Sequence, residues 1–407
     1  MRSAEHPFWF LRPIVVGILT LAGCESSLPT REVPAGNCIA ESDCAATAQV
    51  CKANQCVACT ANSDCASQFC DVYGDSGMPG RCISPSSSYF VDSSDPNLER
   101  CGAADGSAQN PFCSIAAVFD RLSMGTPPSS TYLRLLTSPN AYGLPSVTSS
   151  RGTLVITGSG SFKAGEAATL VAATDDGTLQ IGDGAKVVLD GLVISSPGIT
   201  VGTGANLTLR RSSVRDLATS ATFTMASVTM DRVLLSSNYT GLSFQGCTLN
   251  LSNTVATGNW VGANRHFIDV QGGSGSLQFL TVYKNMLTTA TSQVLSCQNA
   301  SAVSIKNSII AMNGVSQQVS GTCTVQSGSL VVGTSDSSAG QIKQNPSFVD
   351  PSGTDLRLKP FDPVNMQYLI DKAVGVSSAD KNVDHDFYGT PRPQGAGYDI
   401  GAVEFTP

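Results

Sequence analysis

Trp260, Arg265, Asp269, Lys284 and Asn285 are the residues whose types and spacing best suit chemistry at a surface. An indole face packs on a sugar ring, and the guanidinium, carboxylate, ammonium and amide groups nearby can hydrogen-bond hydroxyls or carboxylates. The same set suits a protein partner, and Trp260 can alternatively plug the core beneath it. In strand alternation His266 falls with Ile268 and Val270 on the apolar face, which reads as a core histidine rather than a catalyst. Other ionisable groups have plainer readings. Asp175 and Asp176 precede Gly177 as a turn. Asp190, Arg210 and Asp231, with Arg211 and Arg232 beside them, alternate in sign at equivalent repeat positions, as a solvated cross-strand ion ladder does. Arg392, Asp399 and Glu404 read as a structural ion pair in the C-terminal region.

Cysteine carries the other chemistry. Cys38, Cys44, Cys51, Cys56, Cys59, Cys65, Cys70 and Cys82 crowd a segment, residues 38–83, that has too few large apolar side chains to fold without staples. Ser-Asp-Cys at 42–44 and again at 63–65 marks two related halves. Cys56-x-x-Cys59 alternatively forms a zinc or redox pair, although no second such pair and no histidine accompany it. Metal is therefore not expected, and the connectivity stays open. Cys101 and Cys113 bracket the Asp105-Gly106-Ser107 turn and are expected to pair.

Those residues must be positioned by repeating elements. Only 14% of the chain is charged while glycine is abundant, which disfavours a helix-rich enzyme. The net charge is −7 and the lysines and arginines are scattered, so nucleic acid is not an expected partner. Apolar pairs recur at Val187-x-Leu189, Leu207-x-Leu209, Val228-x-Met230, Leu249-x-Leu251, Leu277-x-Phe279 and Val303-x-Ile305, with further short strands in each interval. Such periodicity predicts stacked coils of three short strands sharing one core. Asn238, Asn259 and Asn313 fall at a constant offset and suit an internal amide ladder. The register slips at 277, because position 287 is Leu and the nearest Asn is 285. The two longest intervals enclose Trp260 to Asn285, so loops there are expected to project. Cys297 and Cys323 lie about one coil apart and within disulfide reach, leaving Cys247 as a buried thiol. Tyr89 to Asp92 reads as a strand. A helix follows, capped by Asn110 with Pro111 in its first turn, burying Ile115, Val118, Phe119 and Leu122.

Leu21-Ala22-Gly23-Cys24, after the apolar run 13–23 and the charges of Arg2 and Arg12, resembles a bacterial lipobox. The resemblance implies a signal peptide over 1–23, lipidation of Cys24, and a tether over 24–37. The run is too short to span a bilayer. Glu25 lacks the aspartate often used for inner-membrane retention, so the implied address is the outer membrane or cell surface, with the membrane as a partner through the lipid. Residues 89–407, with Asn110-Pro111-Phe112, Asn345-Pro346-Ser347-Phe348 and Gly389-Thr390-Pro391-Arg392-Pro393, resemble right-handed parallel β-helix proteins of the pectin-lyase-like superfamily. The implied fold is an all-β right-handed parallel β-helix over 89–344 with an N-terminal capping helix and a closing cap at 345–407. Its implied partners are extracellular polysaccharide or a surface protein. Enzymes of that superfamily use an Arg or Lys base with calcium-holding carboxylates, or clustered aspartates. No such motif is complete in this chain, so catalytic residues and a cofactor are not assigned, and calcium enters only in a lyase reading. A polysaccharide lyase or glycosidase and a structural adhesin are the alternatives to a glycan binder.

Overall fold

The computed structural model describes residues 38–406 apart from 39–40, 95–100, 102, 127, 149–151, 159–167, 173–176, 263–264, 290, 300, 334–343, 352–354 and 377–382. The lipobox, the tether and the Asp175-Asp176 pair lie outside the described residues. Among those described, the strands form parallel sheets of ten, nine and seven strands that wind as a β-helix of about eight turns. Each central coil contributes one short strand to each sheet, and the coils at the two ends contribute to fewer. In the ten-stranded sheet Val187, Leu207, Val228 and Leu249 stand in register and point inward, with Leu189, Leu209, Met230 and Leu251 two residues on. Alternation along a strand sends the residues between them outward. Inside, Phe223 stacks on Phe244 at 4.5 Å between ring centroids.

One register differs from the sequence reading. Leu249 pairs with Gly275, and Leu251 with Leu277, so the inward pair of that coil is Gly275-x-Leu277. Glycine hides the position from a hydrophobic pattern, and the backbone requires it: a Cβ on Gly275 would lie 2.4 Å from the Leu249 carbonyl oxygen. Counted from Gly275, Asn285 has the same offset as the other ladder asparagines, and the slip disappears. Phe279 is instead a corner residue. It occupies a left-handed column that runs Gly191, Arg211, Arg232, Asn253, Phe279 and Asn307, where the chain turns from the ten- to the nine-stranded sheet.

The asparagines stack as expected, now with four members. Nδ2 of Asn238 donates to Oδ1 of Asn259 (2.9 Å), Asn259 to Asn285 (2.7 Å) and Asn285 to Asn313 (2.9 Å). Gln318 Oε1 accepts from Asn313 at 2.9 Å and closes the ladder. Oδ1 of Asn259, Asn285 and Asn313 also accepts the backbone N–H of the preceding ladder residue, which pairs buried donors at a corner outside the three long sheets.

The N-terminal end is covered by the helix Ile115–Ser123, whose buried residues are Ile115, Val118, Phe119 and Leu122. Its cap is Ser114, accepting from Ala117 N at 3.2 Å, rather than Asn110. The reason is that Phe112 is taken up by the coil, bridging to Val91, with its amide bonded to Phe90 O at 2.9 Å. Asn110 closes the preceding turn instead, its side chain donating to Ala103 O at 2.6 Å.

The cysteine-rich module is a duplicated unit. In the first half Cys38 pairs with Cys51 and Cys44 with Cys56; in the second Cys59 pairs with Cys70 and Cys65 with Cys82. First-to-third, second-to-fourth holds in both. Cys56 and Cys59 thus belong to different bridges. Each half has a short hairpin, Val50–Lys52 with Gln55–Val57 and Cys70–Asp71 with Arg81–Cys82. The first turns through Ala53 and Asn54, both left-handed, whereas the second carries a long loop over 72–80. Cys101–Cys113 and Cys297–Cys323 are also bonded, and Cys247 is the buried free thiol among the described residues.

The described residues between 344 and 406 pack against the outer face of the nine-stranded sheet. Phe348, Leu356, Leu358, Leu369, Phe387 and Ile400 cover Leu234, Val255, Tyr283, Ile309 and Leu330. Each such burial is worth about 1.5–3 kcal/mol. Arg392 is sealed in this contact, 3.2 Å from Glu404 and 4.5 Å above the Phe279 ring. Burial lowers its pKa, and burial with neighbouring Glu404 pushes Asp399 up to about 7.

Candidate functional site

Among the described residues, two concave regions bring acidic and basic groups together. The first lies where the cysteine module meets the solenoid. The outward column of the ten-stranded sheet runs from Ser88 through Tyr132, Val155 and Val188 to Thr208, Thr229, Asn250, Ser276 and Ser304. Phe69 and Ile83 of the module bury the apolar part of that column together with Phe90. Where the column turns polar, the 72–80 loop takes over. Tyr73 lies over Arg210, 3.8 Å from its guanidinium carbon, and accepts from Arg232 Nη2 at 3.2 Å, while Asp75 accepts from Arg210 at 2.5 Å.

Asp190, Arg210 and Asp231 are therefore not a solvated ladder. They are paired in register, but only 3%, 7% and 4% exposed. Covering by the loop, invisible in the local sequence, changes the environment. The cleft left at this junction, about 380 Å³, is lined by Asp71, Asp75, Asp190, Arg210, Arg211 and Tyr132 among others. Its carboxylates are already engaged. Asp71 accepts from Asp75 N, Ser76 N and Ser76 Oγ, Asp75 from Arg210, and Asp190 from Arg211 at 2.7 Å. Burial pushes Asp75 up against the pull of Arg210, and burial beside Asp71 also raises the Tyr132 hydroxyl. This arrangement holds two parts of the chain together, with each of these carboxylates accepting from a donor in the cleft.

The second region is a groove of about 300 Å³ on the seven-stranded sheet, lined by Ser220, Gly241, Ser243, Arg265, His266, Asp269, Gln271 and Gln298. Arg265 lies between the strands Trp260–Val261 and Ile268–Gln271 and reaches back over the two preceding coils, donating to Ser220 Oγ (2.8 Å) and Thr240 Oγ1 (3.1 Å). Asp269 sits in the strand Ile268–Gln271 and accepts from Gln271 Nε2 at 2.8 Å. One coil on, Gln298 donates in the same manner to Ser296 Oγ at 3.1 Å. The outward positions run Thr200, Thr222, Ser243, Asp269, Ser296 in one column and Thr224, Gln245, Gln271, Gln298 in the next. Hydroxyls and amides thus repeat from coil to coil, about 4.8 Å apart.

His266 is in this groove and not in the core. The strand begins at Ile268, and Phe267 and Ile268 are both buried, so alternation does not extend back to 266. Its Nδ1 accepts from Gln293 N at 3.2 Å.

The structure gathers Arg265 and Asp269 in the groove and places the other sequence-selected residues elsewhere. Asn285 is 1% exposed within the amide ladder. Lys284 is an exposed corner residue, 5.6 Å from the Tyr283 ring centroid. Trp260, 52% exposed, lies on the corner beside the groove, paired in register with Met286. Sequence reasoning missed Ser243, Gln271 and Gln298, whose signal is only a repeat of ordinary polar residues. Tyr239 and Met286 were findable, because each follows a ladder asparagine as Trp260 does. No known protein-family model matches this chain, and no curated protein matches it in sequence.

Proposed function

We propose that this chain is a lipid-anchored protein of the outer membrane or cell surface whose β-helix binds extracellular polysaccharide or another surface component, extending the resemblance to pectin-lyase-like proteins. The observation that carries the reading is the groove on the seven-stranded sheet, where hydroxyl and amide groups recur on successive coils around Arg265 and Asp269. Repeated neutral donors and acceptors suit a polymer of hydroxyls. Among the described residues, Asp269 is the one carboxylate lining that groove. Hydrolysis through a carboxylate pair needs two, which favours binding over catalysis. The anchor rests on the sequence around Cys24.

Affinity electrophoresis of the mature chain through gels containing neutral and acidic polysaccharides tests the binding reading. Retardation in at least one gel, weakened by the double variant Gln271→Ala/Gln298→Ala, is expected. Unchanged mobility in all gels would overturn it. The lyase alternative is checked by absorbance of unsaturated uronates on the same substrates, with no product expected. Incorporation of a clickable fatty acid into the wild type, and not into Cys24→Ser, is the expected result for the anchor.

A further inference from the structure

Tyr239, Trp260 and Met286 are 63%, 52% and 57% exposed, large apolar side chains that a soluble surface has no reason to align. Yet they are aligned. Trp260 and Met286 are register partners, and the bonds from Tyr239 N to Leu217 O, Trp260 N to Asn238 O and Met286 N to Asn259 O put the three on consecutive coils at one corner. Each directly follows a ladder asparagine, so the backbone beneath the row is fixed by buried amide bonds on every coil. The row ends where it does for a simple reason: the residue after Asn313 is Gly314. The row spans two coil spacings, about 10 Å. It adjoins the groove, since Gly241 of the groove wall is two residues from Tyr239, and Arg265 bonds Thr240 between them.

We infer that Tyr239, Trp260 and Met286 form a stacking platform for a linear, uncharged polysaccharide lying along the solenoid axis, with the hydroxyl and amide columns of the adjoining sheet bonding its edge. This rests on the glycan-binding reading and names its ligand class. Aromatic faces on a rigid support bind the apolar faces of sugar rings with little entropy loss. The neutral class follows from what repeats. A polyuronate presents a carboxylate at every residue and needs a cation on every coil. Here a cation does not stand on every coil: Arg265 shares its coil with Asp269 and is bonded to Ser220 and Thr240, Lys284 stands on the next, and at this corner the coil of Tyr239 offers only Ser237, Asn238 and Thr240. Hydroxyl and amide do recur. A membrane surface is the rival occupant of exposed aromatic groups, but three residues in single file beside a polar groove make a rail rather than a sheet-wide apolar patch.

The test uses the full mature chain in affinity gels containing neutral glucan, mannan or xylan, or acidic polygalacturonate or alginate, with anionic phospholipid vesicles in a parallel sedimentation assay. Retardation in a neutral gel is expected, with Trp260→Ala and Tyr239→Ala each weakening it roughly fivefold to tenfold, the size of one aromatic contact. Both side chains are exposed, so folding is retained, and circular dichroism checks this. Phe361→Ala, an 89% exposed aromatic in the C-terminal segment, serves as the control and should leave mobility unchanged. Retardation confined to acidic gels, or in neutral gels but indifferent to both variants, overturns the platform and leaves the glycan reading standing. Retardation in no gel removes both. Vesicle binding that the two variants abolish, without gel retardation, assigns the row to the membrane instead.

Discussion

Asp75 Oδ2 lies 2.5 Å from Arg210 Nη2, joining residues 135 positions apart in the chain and clamping the disulfide module to the side of the solenoid. The clamp grows from a feature that the second half of the module has and the first lacks, the long 72–80 loop. Asp71, 2% exposed, shapes that loop by accepting from Asp75 N and Ser76 N at 2.8 and 2.7 Å.

Breaking the clamp from one side leaves a buried guanidinium short of a partner. Asp75→Ala should cost about 3 kcal/mol in a denaturant titration. Exchanging the pair for apolar residues, as in Asp75→Leu/Arg210→Met, should recover most of the loss. Equal destabilisation by the single and double variants would show that the ion pair is not what the loop contributes.

Asn259 is bonded on both sides within the amide ladder, giving to Leu235 O and Asn285 Oδ1 and receiving from Asn238 N and Nδ2. Asn259→Ala strands two buried donors, Asn238 N and Nδ2, each costing about 1–3 kcal/mol, and should lower the denaturation midpoint more than Trp260→Ala on the next residue. Comparable midpoints for the two would mean the ladder adds nothing to stability.

Asp399 is pushed up to about 7 by burial and by Glu404, which burial also raises. The folded chain therefore keeps protons that the unfolded chain, titrating near pH ~4, has released. This contribution is present below about pH 4 and is lost as pH rises through 7. Asp355 acts oppositely: held down by Arg357, it stabilises above the usual carboxylate range and loses that as pH falls. Melting temperature should thus peak in mildly acid solution and decline towards pH ~8. Asp399→Asn should flatten the alkaline limb; an unchanged slope would place the effect elsewhere.

Alkylation of the denatured, unreduced chain, followed by peptide mapping, should label Cys247. Label on Cys101, Cys113, Cys297 or Cys323 would refute the bridges assigned to them. In the native chain Cys247, 0% exposed, should resist the reagent.

By itself the sequence determined what recurs along the chain, though not the helix cap, which is Ser114 and not Asn110, nor the place of His266. Inward pairs such as Leu207-x-Leu209, the helix face of Ile115, Val118, Phe119 and Leu122, and the one-coil separation of Cys297 and Cys323 are local periodicities, and periodicity survives without knowledge of the fold. Gly275 escaped because a glycine that admits a neighbouring carbonyl carries no hydrophobic signal. Tertiary structure alone decided what covers the outward faces. Whether Asp190, Arg210 and Asp231 meet water or the 72–80 loop, whether Leu234 and Val255 lie bare or under residues 344–406, and whether Arg265 reaches Ser220 are contacts between segments far apart in the chain. Burial and charge at those positions are set by the partner that arrives, which no local pattern encodes.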